Sequence, residues 1–427
     1  MPTSQNNLMT NFPAGFSAGL MVRGMPILQT QTGNVFWVDN GPVVPNLPGI
    51  APGSDGSSSI TLNSTPGKGT YNRPFASIAQ ALKFCAQGNG DIIFLKPGHR
   101  ETITGAGLTT QPIGAGGTAL ALNINGVAII GLGTGDNRPT ITFGTAATAN
   151  LLLQASNISI QNVLFKCNFA AVASAFTAVT ASVTASIAPV TNSNSAIMTV
   201  TVIGSGTLYP GMSLKSATSG LIPGTFIYSQ LTGTTGGVGT YLISFTQTVA
   251  SGTIVGCTND FDIEYCEFRD LASSLNLLTI FTDSGAANTC DGFRFVGNRI
   301  KSLGTTAATT ALVAGAGQDR WTITDNYGNW AVLNNTAAML ATGANSLTQF
   351  EFSRNYINRP NTSTTSGVAI STSGTGWTGQ CNDNRIFSLN GTAQIWINTG
   401  TGLAFNQNYC PITAAADKSG LINPAAV

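Results

Sequence analysis

The sequence predicts an all-β chain: a right-handed parallel β-helix, a solenoid of stacked coils, interrupted by a small all-β insertion. Three observations predict it. One eight-residue phrase occurs seven times along the 427 residues, most copies lie about one coil apart, and a stretch of different composition separates the first copy from the second.

The copies read ISIQNVLF (158–165), FDIEYCEF (261–268), FRFVGNRI (293–300), WTITDNYG (321–328), FEFSRNYI (350–357), GQCNDNRI (379–386) and LAFNQNYC (403–410). Apolar and polar residues alternate at the start of each, as a half-buried strand requires. Positions one and three should point inward, as in Phe261/Ile263, Phe293/Phe295, Trp321/Ile323 and Phe350/Phe352. Position six is Asn298, Asn326, Asn355, Asn384 and Asn408 in five consecutive copies, separated by 28, 29, 29 and 24 residues. One coil cannot bury its own apolar face, whereas stacked neighbours share a continuous core. An asparagine recurring once per coil should bond its equivalents above and below as a ladder. It also tolerates the left-handed backbone of a sharp corner between strands.

Residues 1–69 are rich in Gly and Pro and lack a regular period. Their apolar residues Phe12, Phe16, Leu20, Met21, Ile27, Phe36 and Trp37 are too many for a plain linker. They suit either an arm that orders on a partner surface or a strap along the protein's own body. Residues 70–181 should hold the cap and first coils: a short amphipathic helix over about 77–85, then a buried strand over 91–95 before Pro97-Gly98. An uncapped stack would expose strand edges and core.

Residues 182–257 follow their own grammar, with short alternating runs broken by Pro-Gly, Gly-Thr and Gly-Gly. That pattern reads as a small β-barrel or sandwich. Removing it restores about one normal coil between the first two copies. Residues 258–427 supply the remaining coils and a tail. Further strand-like runs over 275–281, 311–313, 338–341, 368–371 and 395–397 should form the other faces of each coil.

Composition narrows the function. Charged residues make up 8% and the formal net charge is +1, with no block of Lys or Arg. Nucleic-acid binding needs a basic stripe, so it is not expected. No stretch approaches the ~18 apolar residues of a membrane span, and the first 25 residues do not form a secretion signal. The seven cysteines are odd in number and scattered, and His99 is the lone histidine, so neither a zinc site nor any other cofactor is expected. Buried thiols made in a reducing cytoplasm account for them. A near-neutral Thr/Ser/Asn exterior solubilises poorly, which points to coverage by other subunits.

Several segments carry a resemblance. The stretch RPFASIAQALKFCAQGNGDIIFLKPGHRETI (73–103) resembles the N-terminal cap of pectate-lyase-like β-helix proteins, and VAIIGLGTGDNRPTITF (127–143) fits their first coils. Together with VFWVDNG (35–41) and DKSGLINPAAV (417–427), they resemble a family of tailed-phage virion structural proteins over nearly the full length. The insertion is similar to a mobile module found in many tailed-phage structural proteins. The resemblance implies a non-enzymatic capsid decoration or cement protein. It would be a homotrimer made in the host cytoplasm, displayed on the capsid surface and fastened to the major capsid protein by its N-terminal arm. The alternative it implies is a tail fibre or tailspike that binds, and possibly cleaves, host surface polysaccharide.

Many β-helix proteins cleave polysaccharides, so paired carboxylates matter. Asp260, Asp262 and Glu264 alternate with Phe261, Ile263 and Tyr265 and should share one outward face, with Glu267, Arg269 and Asp270 nearby. Glycoside hydrolysis needs two carboxyls ~5–9.5 Å apart in a groove. Strands alternate this way routinely, so these acids read as solvated or interface charges rather than a catalytic pair. Asp291, Asp319, Asp325, Glu351 and Asp383 are scattered one per coil and read as turn formers. His99 reads as structural, and Trp330, Trp377, Trp396, Tyr356 and Tyr409 as core or subunit contacts before sugar platforms.

Overall fold

The computed structural model describes residues 20–22, 25–27, 33–39, 69–71, 74–103, 120–144, 146–216, 220–283, 290–302, 310–315, 317–329, 339–341, 347–359, 370–371, 377–388, 397–398 and 403–408. The chain is nearly all β, built largely on parallel sheets. The first sheet has ten strands: Val35–Val38, Ile92–Leu95, Ala128–Gly131, Ile158–Gln161, Phe261–Glu264, Arg294–Val296, Thr322–Thr324, Phe350–Ser353, Gly379–Asn382 and Leu403–Asn406. The second has eight, from Arg100–Ile103 to Arg385–Ser388, and the third eight, from Leu120–Leu122 to Ile397–Asn398. Strands follow one another in chain order within each sheet, and every pairing in these three is parallel. Each of the first six phrases supplies a first-sheet strand, a corner and a second-sheet strand, and the seventh supplies the first-sheet strand Leu403–Asn406.

Alternation does what the period of two requires. Ile158, Ile160, Phe261, Ile263, Phe295, Ile323 and Phe352 turn into one continuous core, while Ser159, Asp262, Arg294 and Glu351 line up on the outer side. Equivalent rings meet from repeat to repeat, Phe165 stacked on Phe268 at 5.1 Å and Phe293 against Trp321 at 4.7 Å, and Phe281 of the third sheet stacks on Phe293 at 4.4 Å. The buried Trp321 indole donates to the Cys290 carbonyl at 2.7 Å, so its one polar atom has a partner. Truncating one such ring to alanine costs about 3–5 kcal/mol.

The cap is shorter than the stretch 77–85. Helix α1 (Ile78–Leu82) begins at Ser77, whose hydroxyl accepts from the Gln80 N–H at 3.1 Å, and it buries Ile78, Ala81 and Leu82 against the core. The Gln80 side chain in turn accepts from the Ala76 N–H at 3.0 Å, which pins the chain entering the helix to its first turn.

The arm boundary requires correction. Phe36 and Trp37, grouped with an arm over 1–69, belong to the body: Val35–Val38 pairs in parallel with Ile92–Leu95 as the end strand of the first sheet. Phe36 packs on Phe75 at 6.0 Å, and Trp37, 5% exposed, joins Ile92, Phe94 and Ile130 in an apolar cluster on the sheet's outer side. Strand edges bind a further strand wherever side chains permit, and an apolar VFWV permits it. Leu20, Met21 and Ile27 lie in an antiparallel pair, Leu20–Val22 with Met25–Ile27. Phe12 and Phe16 lie outside the described residues.

The insertion is a six-stranded antiparallel sheet running from Ala181 to Cys257, one residue longer at its start than 182–257. Its end strands meet: Leu214 N–H donates to the Thr225 carbonyl at 2.8 Å and Ile227 N–H to Met212 at 2.9 Å, closing the sheet as a small barrel. Ala185, Met198, Tyr241, Ile243 and Ile254 fill it as a core separate from the main one. The entering and leaving strands are neighbours, with Ala181 opposite Gly256. The module leaves after the third-sheet strand Phe176–Ala178 and returns just before Phe261–Glu264.

Candidate functional site

Two constellations bear on function, the asparagine row and the acidic face. Asn298, Asn326, Asn355, Asn384 and Asn408 are each at most 1% exposed. Each side-chain oxygen accepts the backbone N–H of the position-six residue one repeat earlier: Asn298 to Asn326 at 2.9 Å, Asn326 to Asn355 at 3.1 Å, Asn355 to Asn384 at 2.9 Å, and Asn384 to Asn408 at 3.1 Å. Each side-chain nitrogen donates to the position-three carbonyl of the preceding repeat, at 2.7–2.8 Å: Ile263, Phe295, Ile323, Phe352 and Cys381. Four amides also bond directly in series, Asn326 to Asn355 at 2.9 Å, Asn355 to Asn384 at 3.0 Å and Asn384 to Asn408 at 2.8 Å. The backbone and amide donors to each Oδ1 all point towards the next repeat, while each amide's bond to a carbonyl points back, so every asparagine clamps the repeats on either side of it.

The row has a member that the residue type hides. Cys266 stands at position six of the second copy; its N–H donates to Asn298 Oδ1 at 2.9 Å. Its Sγ accepts from Val163 N–H at 3.5 Å and lies 3.7 Å from the Ile160 carbonyl. The sulfur makes weakly both contacts that an amide makes strongly. The left-handed residue of the corner is not the asparagine, contrary to expectation, but the residue before it: Asn162, Tyr265, Gly297, Asp325, Arg354, Asp383 and Gln407, with φ between 52° and 66°. Gly297 there lies under the Tyr265 ring, 2.7 Å from where a Cβ would stand.

On the outer side of the first sheet Asp262 and Glu264 do stand together, and Asp260 sits just before the strand with φ 53°. One guanidinium answers both: Arg294 Nη1 is 3.0 Å from Glu264 and 3.7 Å from Asp262. Gln161 donates to Glu264 at 3.3 Å, and Arg320 lies 3.9 Å from Asp260. Burial pushes the Asp262 carboxyl up to about 6; Arg294 opposes the shift, and Glu264 and Asp260 add to it. Burial also raises Asp260, against the pull of Arg320. The neighbouring Glu267 is held by Arg138 at 3.5 Å and by Arg269, and Asp270 is buried, accepting from Leu277 N–H and the Ser302 hydroxyl, each at 3.0 Å. Spacing along the chain does not pair Arg294 with these acids; the register places it directly opposite Asp262.

The remaining candidates are structural in their surroundings. His99 is fully buried 3.3 Å from Glu101, which accepts the first helical N–H, that of Ile78, at 3.1 Å. Asp91, 1% exposed, accepts from Asn34, Ala86 and Asn89 at 2.6–2.7 Å and ties three segments together. Burial raises the thiols, Cys167 to about 11 and Cys85, Cys257 and Cys266 to about 12, so they stay protonated and inert at neutral pH. Among the described residues no His/Cys/Asp/Glu group has the geometry to hold a metal ion. Trp377 is fully buried, and Tyr356 stacks on Tyr327 at 4.8 Å. Trp330, Trp396, Tyr409 and Cys410 lie outside the described residues. The chain matches no protein-family model and no curated relative.

Proposed function

We propose that the three parallel sheets wind as a right-handed parallel β-helix, and that the protein is a non-enzymatic structural component of a tailed-phage virion. In this reading it decorates or cements the capsid as a homotrimer, with the N-terminal segment meeting the major capsid protein. Every repeat feeds the same sheets in the same order, and parallel connections of this kind are right-handed almost without exception. The virion assignment draws on the sequence resemblance of the cap, first coils and insertion.

The observation that carries the non-enzymatic part is Arg294. Asp262 and Glu264 are spaced as neighbours on one strand face, roughly 7 Å along the chain, a separation glycoside hydrolysis could use. A guanidinium bridging both holds them as a charge cluster rather than as an open acid pair. A buried row of bonded asparagines beneath the same corner favours a rigid body over a hinged cleft.

A second reading, a tailspike that binds or cleaves surface glycan, is favoured by one feature: a carboxyl at about 6 suits a proton donor near neutral pH. Copy number decides between them. Quantitative staining of purified particles should give a ratio to the major capsid protein near stoichiometric for a cement protein. A few trimers per particle would overturn that reading and send Asp262 and Glu264 to a glycan-cleavage assay.

A further inference from the structure

The corner between the first and second sheets forms a ridge whose outer side chains the asparagine row beneath it does not explain. Position five of each phrase stands at the crest, where the backbone is left-handed: Tyr265, Gly297, Asp325, Arg354 and Asp383 follow one another, roughly 4.8 Å per repeat. Asn, Gly and Asp suit that backbone, whereas a bulky aromatic residue rarely adopts it. The chain nonetheless places a tyrosine there, and its ring rests on Gly297, the one glycine of the crest among the described residues. A Cβ at 297 would stand 2.7 Å from Cδ1 and Cε1 of that ring. Tyr265 is still 50% exposed, so the ring face turned away from Gly297 opens to solvent.

The surroundings of the ring are polar and held in place. Next along the crest, the Asp325 carboxylate accepts two bonds from Arg354, both at 2.8 Å, which fixes its plane. On the second-sheet side stand Arg299 and Tyr327, exposed neighbours in one outward row. Tyr327 spends one face on Tyr356, stacked at 4.8 Å. Over positions five and seven of the second to sixth phrases, Glu267, Asp325 and Asp383 balance Arg299, Arg354 and Arg385. The strip therefore carries aromatic rings and fixed charges but no net charge.

We propose that this ridge binds a neutral polysaccharide, with one sugar ring seated on Tyr265 and its hydroxyls on Asp325 and Arg299. One side of a pyranose is a sheet of C–H bonds, which fits the electron-rich face of an aromatic ring. The hydroxyls at its rim both donate and accept, and they fit a carboxylate and a guanidinium. Nucleic acids and acidic polymers meet Asp325 and Asp383 on the crest, and the strip offers them no net positive charge. A protein partner needs about 800 Å² with an apolar centre, and here charged residues separate the exposed rings. An extended sugar chain is narrow enough to follow a crest one residue wide. The proposal goes beyond the cement reading. It adds to the glycan alternative a place, apart from Asp262 and Glu264, where sugar is held and not cleaved.

The test is native affinity electrophoresis of the full chain through gels containing dextran, laminarin, hydroxyethyl cellulose or yeast mannan, with heparin as the anionic comparator. At least one neutral polymer should retard the protein, and added salt should change that little, because the strip carries no net charge. Tyr265→Asn should weaken retardation ~10-fold. The same variant should keep or raise the denaturant midpoint, since asparagine suits a left-handed corner, so lost binding is not lost folding. Tyr265→Phe keeps the ring and should keep binding, and Gly297→Ala, whose Cβ displaces the ring, should weaken it. Retardation by none of the four neutral polymers overturns the proposal. So does a Tyr265→Asn variant that migrates like the parent, or retardation by heparin alone. Copy number on particles and release of reducing ends at Asp262 and Glu264 are read separately, so those readings and this one fail independently.

Discussion

Replacing Asn355 by alanine removes four hydrogen bonds from the middle of the asparagine row. Its oxygen no longer accepts from the Asn326 N–H and amide, and its nitrogen no longer donates to the Ile323 carbonyl and Asn384 Oδ1. The Asn326 N–H is buried and loses the acceptor its backbone relies on. A buried donor stranded in this way costs about 1–3 kcal/mol, and the lost bonds add about 1 kcal/mol or more. Water cannot enter without opening the corner, since Asn326, Asn355 and Asn384 are at most 1% exposed. A loss of about 3–4 kcal/mol is therefore expected, against ±0.5 kcal/mol for Asn358→Ala on the outer side of the second sheet. The assay is the denaturant midpoint of both variants, with hydrogen exchange following the Asn326 amide. Repeat arrays need not unfold in one step, so the exchange measurement locates the damage. A loss for Asn355→Ala below about 1 kcal/mol, or an Asn326 amide as protected as before, would refute the argument.

Cys266→Asn should extend the row by one member, since an amide there meets Val163 N–H, the Ile160 carbonyl and Asn298. A gain of about 1 kcal/mol in the denaturant midpoint is expected, and a net loss would mean the slot is too tight for the extra atom. The Asp262 carboxyl sits at about 6 in the folded chain and at 3.8 ordinarily, so its ionised form is penalised by folding. That penalty is full above pH 6 and relieved as pH falls from 6 towards 4, and it amounts to at most about 3 kcal/mol. Asp262→Asn should accordingly be more stable than the parent at pH 7, with the gap closing by pH 4; equal midpoints at pH 7 would sink this account.

Much of the architecture was legible because each repeat restates it. Alternation in FDIEYCEF or FEFSRNYI marks a strand and its inner side, and an asparagine fixed at one position implies a partner one repeat away. Val35–Val38 was not legible as a strand of the same sheet. It lacks the phrase, and more than fifty residues separate it from Ile92, its partner. The left-handed corner was legible only in part: Asn162, Gly297, Asp325 and Asp383 are types that tolerate that backbone, whereas Tyr265, Arg354 and Gln407 have no preference for it, and there register imposes it. Cys266 is the same lesson, a slot in the row filled by a side chain of another kind. The ridge was visible as letters, but Tyr265, Gly297 and Asp325 share a crest only once the repeats are stacked.

The neighbouring strands Ala181–Pro189 and Val249–Cys257 have a consequence beyond this fold. The chain departs and returns through the same doorway, and Ser156 latches it: its hydroxyl donates to the Cys257 carbonyl at 3.0 Å and accepts from Ser213 and Asn259 at 3.2 and 2.9 Å. Whatever lies beyond the doorway meets the repeats mainly through that latch and a few contacts beside it, among them Lys215 on Asp291 and Asn125 on Gly211. The corner is thus a socket. A lineage, or a protein engineer, can exchange the cargo there for any domain whose two ends lie one strand apart, and the sheets beneath keep their registry.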